Sequence, residues 1–119
     1  MSANARALAF DENRITVENI EWQAPARVLD ARWVDGLVVV VLDWTSLRQK
    51  ERRSGQIHNL RAYSASGEHE WTAEHPTSST ADCYTTIVSV APLVVASFAG
   101  FDCWIDPADG KLAKSVFTK

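Results

Sequence analysis

Leu37-Val38-Val39-Val40-Val41-Leu42 is a run of six apolar residues, four of them β-branched, set between Asp35-Gly36 and Asp43-Trp44. Valine favours extended backbone, and so short a run bounded by turn residues reads as a strand. A strand with one buried face alternates between apolar and polar residues. This one has no polar face, so it must sit between two packed layers. Asp35-Gly36 favours the two-residue turns whose twist matches that of paired strands, which makes Val28 to Val34 the hairpin partner.

The remaining sequence alternates between short strands and turn signals. Ala7 to Phe10 and Ile15 to Trp22 form a hairpin around Asp11-Glu12-Asn13-Arg14, with Ile15, Val17 and Asn19 on one face and Thr16, Glu18, Ile20 and Trp22 on the other. Trp44 to His58 carries helix formers but no apolar stripe, and reads as a long exposed loop with at most one helical turn. Further strands follow at Asn59–Tyr63, Glu68–Ala73, Tyr84–Val90, Leu93–Phe98, Phe101–Ile105 and Lys111–Phe117. Ser64-Ala65-Ser66-Gly67, Ala91-Pro92, Ala99-Gly100 and Asp106-Pro107-Ala108-Asp109-Gly110 supply turns, and residues 75–82 form a polar linker.

The sequence repeats internally. Leu37-Val38-Val39-Val40 matches Leu93-Val94-Val95-Ala96. The Tyr63–Glu68 turn matches Ile105–Lys111, and Trp22-Gln23-Ala24-Pro25 echoes Trp71 to Pro76. Each copy is four short antiparallel strands, one over residues 28–74 with the long loop 44–58 and one over residues 83–117. The N-terminal hairpin over residues 6–22 corresponds to the last two strands of a third copy. The expectation is a single all-β domain of about ten short strands, in two full four-stranded units and one half unit like the blades of a propeller. The segment Asn59 to Trp71 resembles the repeat of quinoprotein-type (PQQ-like) propellers, with Gly67 and Trp71 on the pattern and Ser64 in place of its aspartate. In the following copy Asp106 and Gly110 match, while Lys114 stands where that pattern has tryptophan. The chain is also similar to small uncharacterised bacterial proteins with such repeats. The likeness concerns turn geometry, and neither quinone nor calcium ligands carry over.

Composition narrows the function classes. The 119 residues hold room for one modest core, and a net charge of -3 argues against a general affinity for nucleic acid or anionic membranes. No apolar run approaches the roughly 20 residues that span a bilayer. With no signal-peptide pattern at the start, the reading is cytoplasmic, with Cys83 and Cys103 as reduced, buried thiols.

No sequence signature points to catalysis. The three histidines and two cysteines lack close metal-ligand spacing, and there is no nucleophile motif or glycine-rich phosphate loop. The chain is therefore read as a non-enzyme without cofactor or metal. The candidate partner surface is Trp44 with Arg48, Lys50, Arg52 and Arg53, a basic segment inside an unusually long connection. The absence of interleaved aromatics in that segment argues against nucleic acid. The expected function is a protein-binding module, open at its sheet edges to homodimer formation. One specific form would be an immunity-type protein neutralising a basic partner. The alternative is a small-molecule or carbohydrate binder using an aromatic groove between sheets.

Overall fold

The computed structural model describes residues 7–51 and 55–118. The described residues form three antiparallel sheets and one short helix. Sheet A comprises β1 (Leu8–Asp11), β2 (Arg14–Val17) and β3 (Ile20–Gln23). Sheet B comprises β4 (Val28–Val34), β5 (Leu37–Leu42), β6 (Leu60–Tyr63) and β7 (His69–Thr72), with helix α1 (Trp44–Glu51) inserted between β5 and β6. Sheet C comprises β8 (Tyr84–Val90), β9 (Leu93–Ser97), β10 (Phe101–Ile105) and β11 (Leu112–Phe117). Each sheet is a simple meander, its strands joined by short turns except for the connection that carries α1.

β5 is the middle of the molecule. Val38, Val40 and Leu42 pack with Ile15 and Val17 of sheet A. Val39 and Val41, pointing the other way, pack with Ile87, Val95 and Cys103 of sheet C. All five of these β5 side chains are fully buried, so both faces of the strand are covered by separate apolar cores. Asp35 and Gly36 adopt φ of 53° and 83° in the β4–β5 turn, the left-handed pair that such a hairpin needs.

Two tryptophan–glycine contacts repeat along the stack. Trp22 on β3 lies over Gly67 in the β6–β7 turn, and its indole N–H donates to Ala65 O at 3.0 Å. Trp71 on β7 lies over Gly110 in the β10–β11 turn, and its indole N–H donates to Pro107 O at 2.8 Å. A Cβ on either glycine would come within 2.6 Å of the ring. The last strand of sheet A thus locks onto the last turn of sheet B, and the last strand of sheet B onto the last turn of sheet C, the same device used twice by equivalent residues.

Two readings from sequence need correction. Ile15 to Trp22 is not one strand: Glu18-Asn19 makes a second tight turn, with Glu18 at φ 55°. Sheet A therefore has three strands, and Trp22 pairs opposite Ile15 and Ile20 opposite Val17 on the same face. The segment after β5 is a helix rather than a loop. Asp43 starts it, its carbonyl accepting the Leu47 N–H and its carboxylate the Thr45 N–H. The buried Leu47 ties it to the A–B core. One well-placed leucine replaces the stripe whose absence suggested a loop.

Candidate functional site

α1 divides two clefts at one edge of the stack. The larger, about 640 Å³, lies between α1 and the ends of β6 and β7. Arg48, His58, Arg61 and His69 line it together with Glu74, over a floor that includes Leu47 and Ile57. The smaller, about 380 Å³, lies between α1 and the segment leading into sheet C. Trp44 and Phe98 stand at this cleft, 46% and 66% exposed, with Asp82 and Cys83 in its wall. Arg48 and Ile57 belong to both, so the Arg48 guanidinium sits on the divide between an aromatic recess and a basic one.

The walls are fixed by hydrogen bonds rather than by apolar packing alone. Asp82 is buried, and its carboxylate accepts from the Thr77 hydroxyl and from the Cys83 and Ala99 backbone N–H groups. His75 bridges the carbonyl oxygens of Thr77 and Asp82, one with each ring nitrogen, and its ring meets His58 edge-on at 5.7 Å. Residues 75–82, read from sequence as a polar linker, are thus a tied structure that shapes the smaller cleft. Arg61 is steered by its Nε donating to the His58 carbonyl at 2.9 Å. His69 shares a 2.8 Å hydrogen bond with the Thr72 hydroxyl and sets its ring edge-on to Tyr63.

Guanidinium and imidazole groups line the larger cleft and suit carboxylate or phosphate oxygens, Arg48 and Arg61 with forked donors. Cys83 places a thiol in the wall of the smaller cleft, and burial, reinforced by the Asp82 and Asp43 carboxylates, pushes it upward. Both cysteines are free and buried. Among the described residues no three His, Cys, Asp or Glu side chains come together as a metal site would need.

Of the candidates read from sequence, Trp44, Arg48 and Lys50 are exposed on α1, with Trp44 and Arg48 at the clefts. Arg52 and Arg53 lie outside the described residues. Sequence reading missed Arg61 and Phe98, and weighed His58 and His69 only as metal ligands. Alternation along β6 places Arg61 on one face of its strand, but nothing local announces that α1 will roof that face.

The fold and these clefts define an all-β protein of three stacked antiparallel sheets, with a basic and aromatic recess beside a short helix. The chain belongs to the family described as Domain of unknown function (DUF7957), which matches residues 5–117. None of the curated proteins matches it. Among solved structures it is similar to the crystal structure of the computationally designed Ika8 protein, at a TM-score of 0.56 and 14% identity over 94% of this chain. The chain spans only 36% of that designed protein, so the likeness is one of fold.

Proposed function

We propose that this chain is a non-enzymatic protein-binding module that takes up an acidic segment of a partner along the α1 edge. The carrying observation is the position of Arg48, between exposed Trp44 and Phe98 on one side and Arg61, His58 and His69 on the other. Exposed aromatic rings beside forked cations are the composition of interface anchors, and a carboxylate-bearing peptide matches both halves. A basic partner of the immunity type is the second reading: the net charge is -3, but on sheet A the carboxylates of Asp11 and Glu12 are already paired with Arg14 and Arg27. The alternative, a carbohydrate or small molecule in an aromatic groove between sheets, draws on a recess of about 440 Å³ between the β4–β5 turn and sheet C, walled by Pro92, Trp104 and Pro107, while the Trp22 and Trp71 rings are engaged in the interlocks. The same interlocks support reading the four-stranded units as propeller-like blades.

The test is fluorescence polarisation with labelled oligoglutamate and oligolysine peptides. Oligoglutamate should bind, weaken with added salt, and weaken about tenfold for Arg48→Ala and again for Arg61→Ala. Binding of oligolysine instead would reverse the assigned partner charge. Equal binding by wild type and the Arg48→Ala, Arg61→Ala double variant would remove the clefts from the function.

A further inference from the structure

The two ends of the stack differ in kind. On sheet A, Ile15 and Val17 turn into the core, so the outward row is Ala9, Asp11, Arg14, Thr16, Glu21 and Gln23. That face is polar and carries the Asp11–Arg14 ion pair at 3.2 Å. On sheet C, Val95 and Cys103 turn inward, so Val94, Ala96, Trp104 and Val116 turn outward. Val88 joins them at a bulge opposite Val94. Val88 and Val116 are 55% and 45% exposed. Only two charges interrupt the centre of this face: Asp102, with no ion-pair partner among the described residues, and Lys114, whose Nζ stands 4.4 Å from the Trp104 ring centre. Ala96 and Trp104 are partly exposed and Val94 is buried, so the open apolar surface centres on Val88 and Val116, and apolar side chains gathered on an open face mark a contact.

We propose that this face receives a second copy of the same chain, sheet C against sheet C about a two-fold axis. The interlock residues exclude a head-to-tail continuation of the stack. Extending it would need a tryptophan on β11 and a glycine in the β2–β3 turn. β11 has Lys114 at the matching position, and that turn is Glu18-Asn19. Sheet A's charged face is also a poor cover for Trp104 and Val116.

A two-fold arrangement fits the charges. Val116, Asp102 and Ala96 form one row across β11, β10 and β9; Lys114, Trp104 and Val94 form the next. An axis running across the strands between these rows stacks β10 on β10 and β11 on β11. Lys114 of each copy then comes over Val116 and beside Asp102 of the other, Val94 meets Ala96, and Trp104 falls over Asp102 in the middle of the row. Across sheets roughly 10 Å apart, a lysine reaches such a carboxylate. The Lys114–Asp102 ion pair forms twice by symmetry, as an isologous interface requires.

Light scattering on the full chain after size exclusion tests this. The expected mass is twice 13.2 kDa. Val116→Glu should give a folded monomer, with unchanged circular dichroism. Asp102→Lys and Lys114→Asp singly set like charges against each other and should raise the dissociation constant about tenfold or more, while the double exchange restores the dimer. A wild-type monomer, a larger ring or filament, or a dimer indifferent to Val116→Glu would each overturn the proposal, as would failure of the double exchange to restore a dimer that the single changes break.

Discussion

Asn59 and Tyr84 exchange two hydrogen bonds across the seam between sheets B and C. The Asn59 amide donates to Tyr84 O at 2.8 Å, and the Tyr84 N–H donates to Asn59 Oδ1 at 3.0 Å. The same amide nitrogen also donates to Leu42 O at 2.9 Å, so one fully buried side chain serves the end of β5 and the start of β8. Removing it strands an N–H and carbonyl groups away from water. Asn59→Ala should destabilise the protein by about 2–5 kcal/mol. Urea unfolding measures this as a lowered midpoint with unchanged slope. A change below about 1 kcal/mol would mean that water reaches the seam and the bonds are replaceable.

The glycine positions give a graded prediction. At Gly67 and Gly110 an added methyl meets an indole ring at 2.6 Å, on top of positive φ. At Gly36, also at positive φ, nothing lies within 4 Å. Gly36→Ala should therefore cost about 1 kcal/mol from backbone strain alone, and Gly67→Ala and Gly110→Ala roughly 2–4 kcal/mol each. Thermal denaturation would rank the three. Equal losses would show that the tryptophans swing aside freely and that the interlock does not hold the sheets together.

These contacts also show where sequence stops being informative. The β5 run and the Asp35-Gly36 turn were legible because period and turn chemistry are local. Trp71 and Gly67 were legible as a pattern, but their partners were not: each locks to a neighbouring sheet, Trp71 to Gly110 and Gly67 to Trp22. Asn59 read as an ordinary polar residue at a strand end, since its three bonds run to residues 17 and 25 positions away. α1 was missed because its stability rests on Asp43 capping and on Leu47 alone. Of the site, Trp44 and Arg48 stood out by type and context. Arg61 and Phe98 reach the clefts only through tertiary packing.

Stability should fall in alkaline solution. Burial raises the Cys103 thiol from 9.0 to about 11, with the Asp82 and Asp102 carboxylates adding to the effect. The folded state therefore holds this proton where the unfolded chain has lost it. Its contribution is complete below about pH 9 and declines as pH rises toward 11, at up to ~1.4 kcal/mol per pH unit. Cys83 and Tyr84 are shifted in the same direction, again chiefly by burial. Urea midpoints taken across this range should decline, and less steeply in Cys103→Ala. A flat profile in wild type would show that the thiol is not sealed in the B–C core.

The two faces of β5 can be tested separately. Val39 points into the core with sheet C and Val40 into the core with sheet A, both with no exposure. A carboxylate at either position loses its hydration without a partner, at a cost of several kcal/mol set against a typical total stability of about 5–15 kcal/mol. Val39→Asp and Val40→Asp should each abolish cooperative unfolding. Leu29→Asp, on the partly exposed side of β4, should leave it within about 1 kcal/mol of wild type. Circular dichroism during thermal melts distinguishes these outcomes. Tolerance of Val40→Asp alone would mean that sheet A detaches while sheets B and C stay folded, making the N-terminal sheet a cover rather than part of the core.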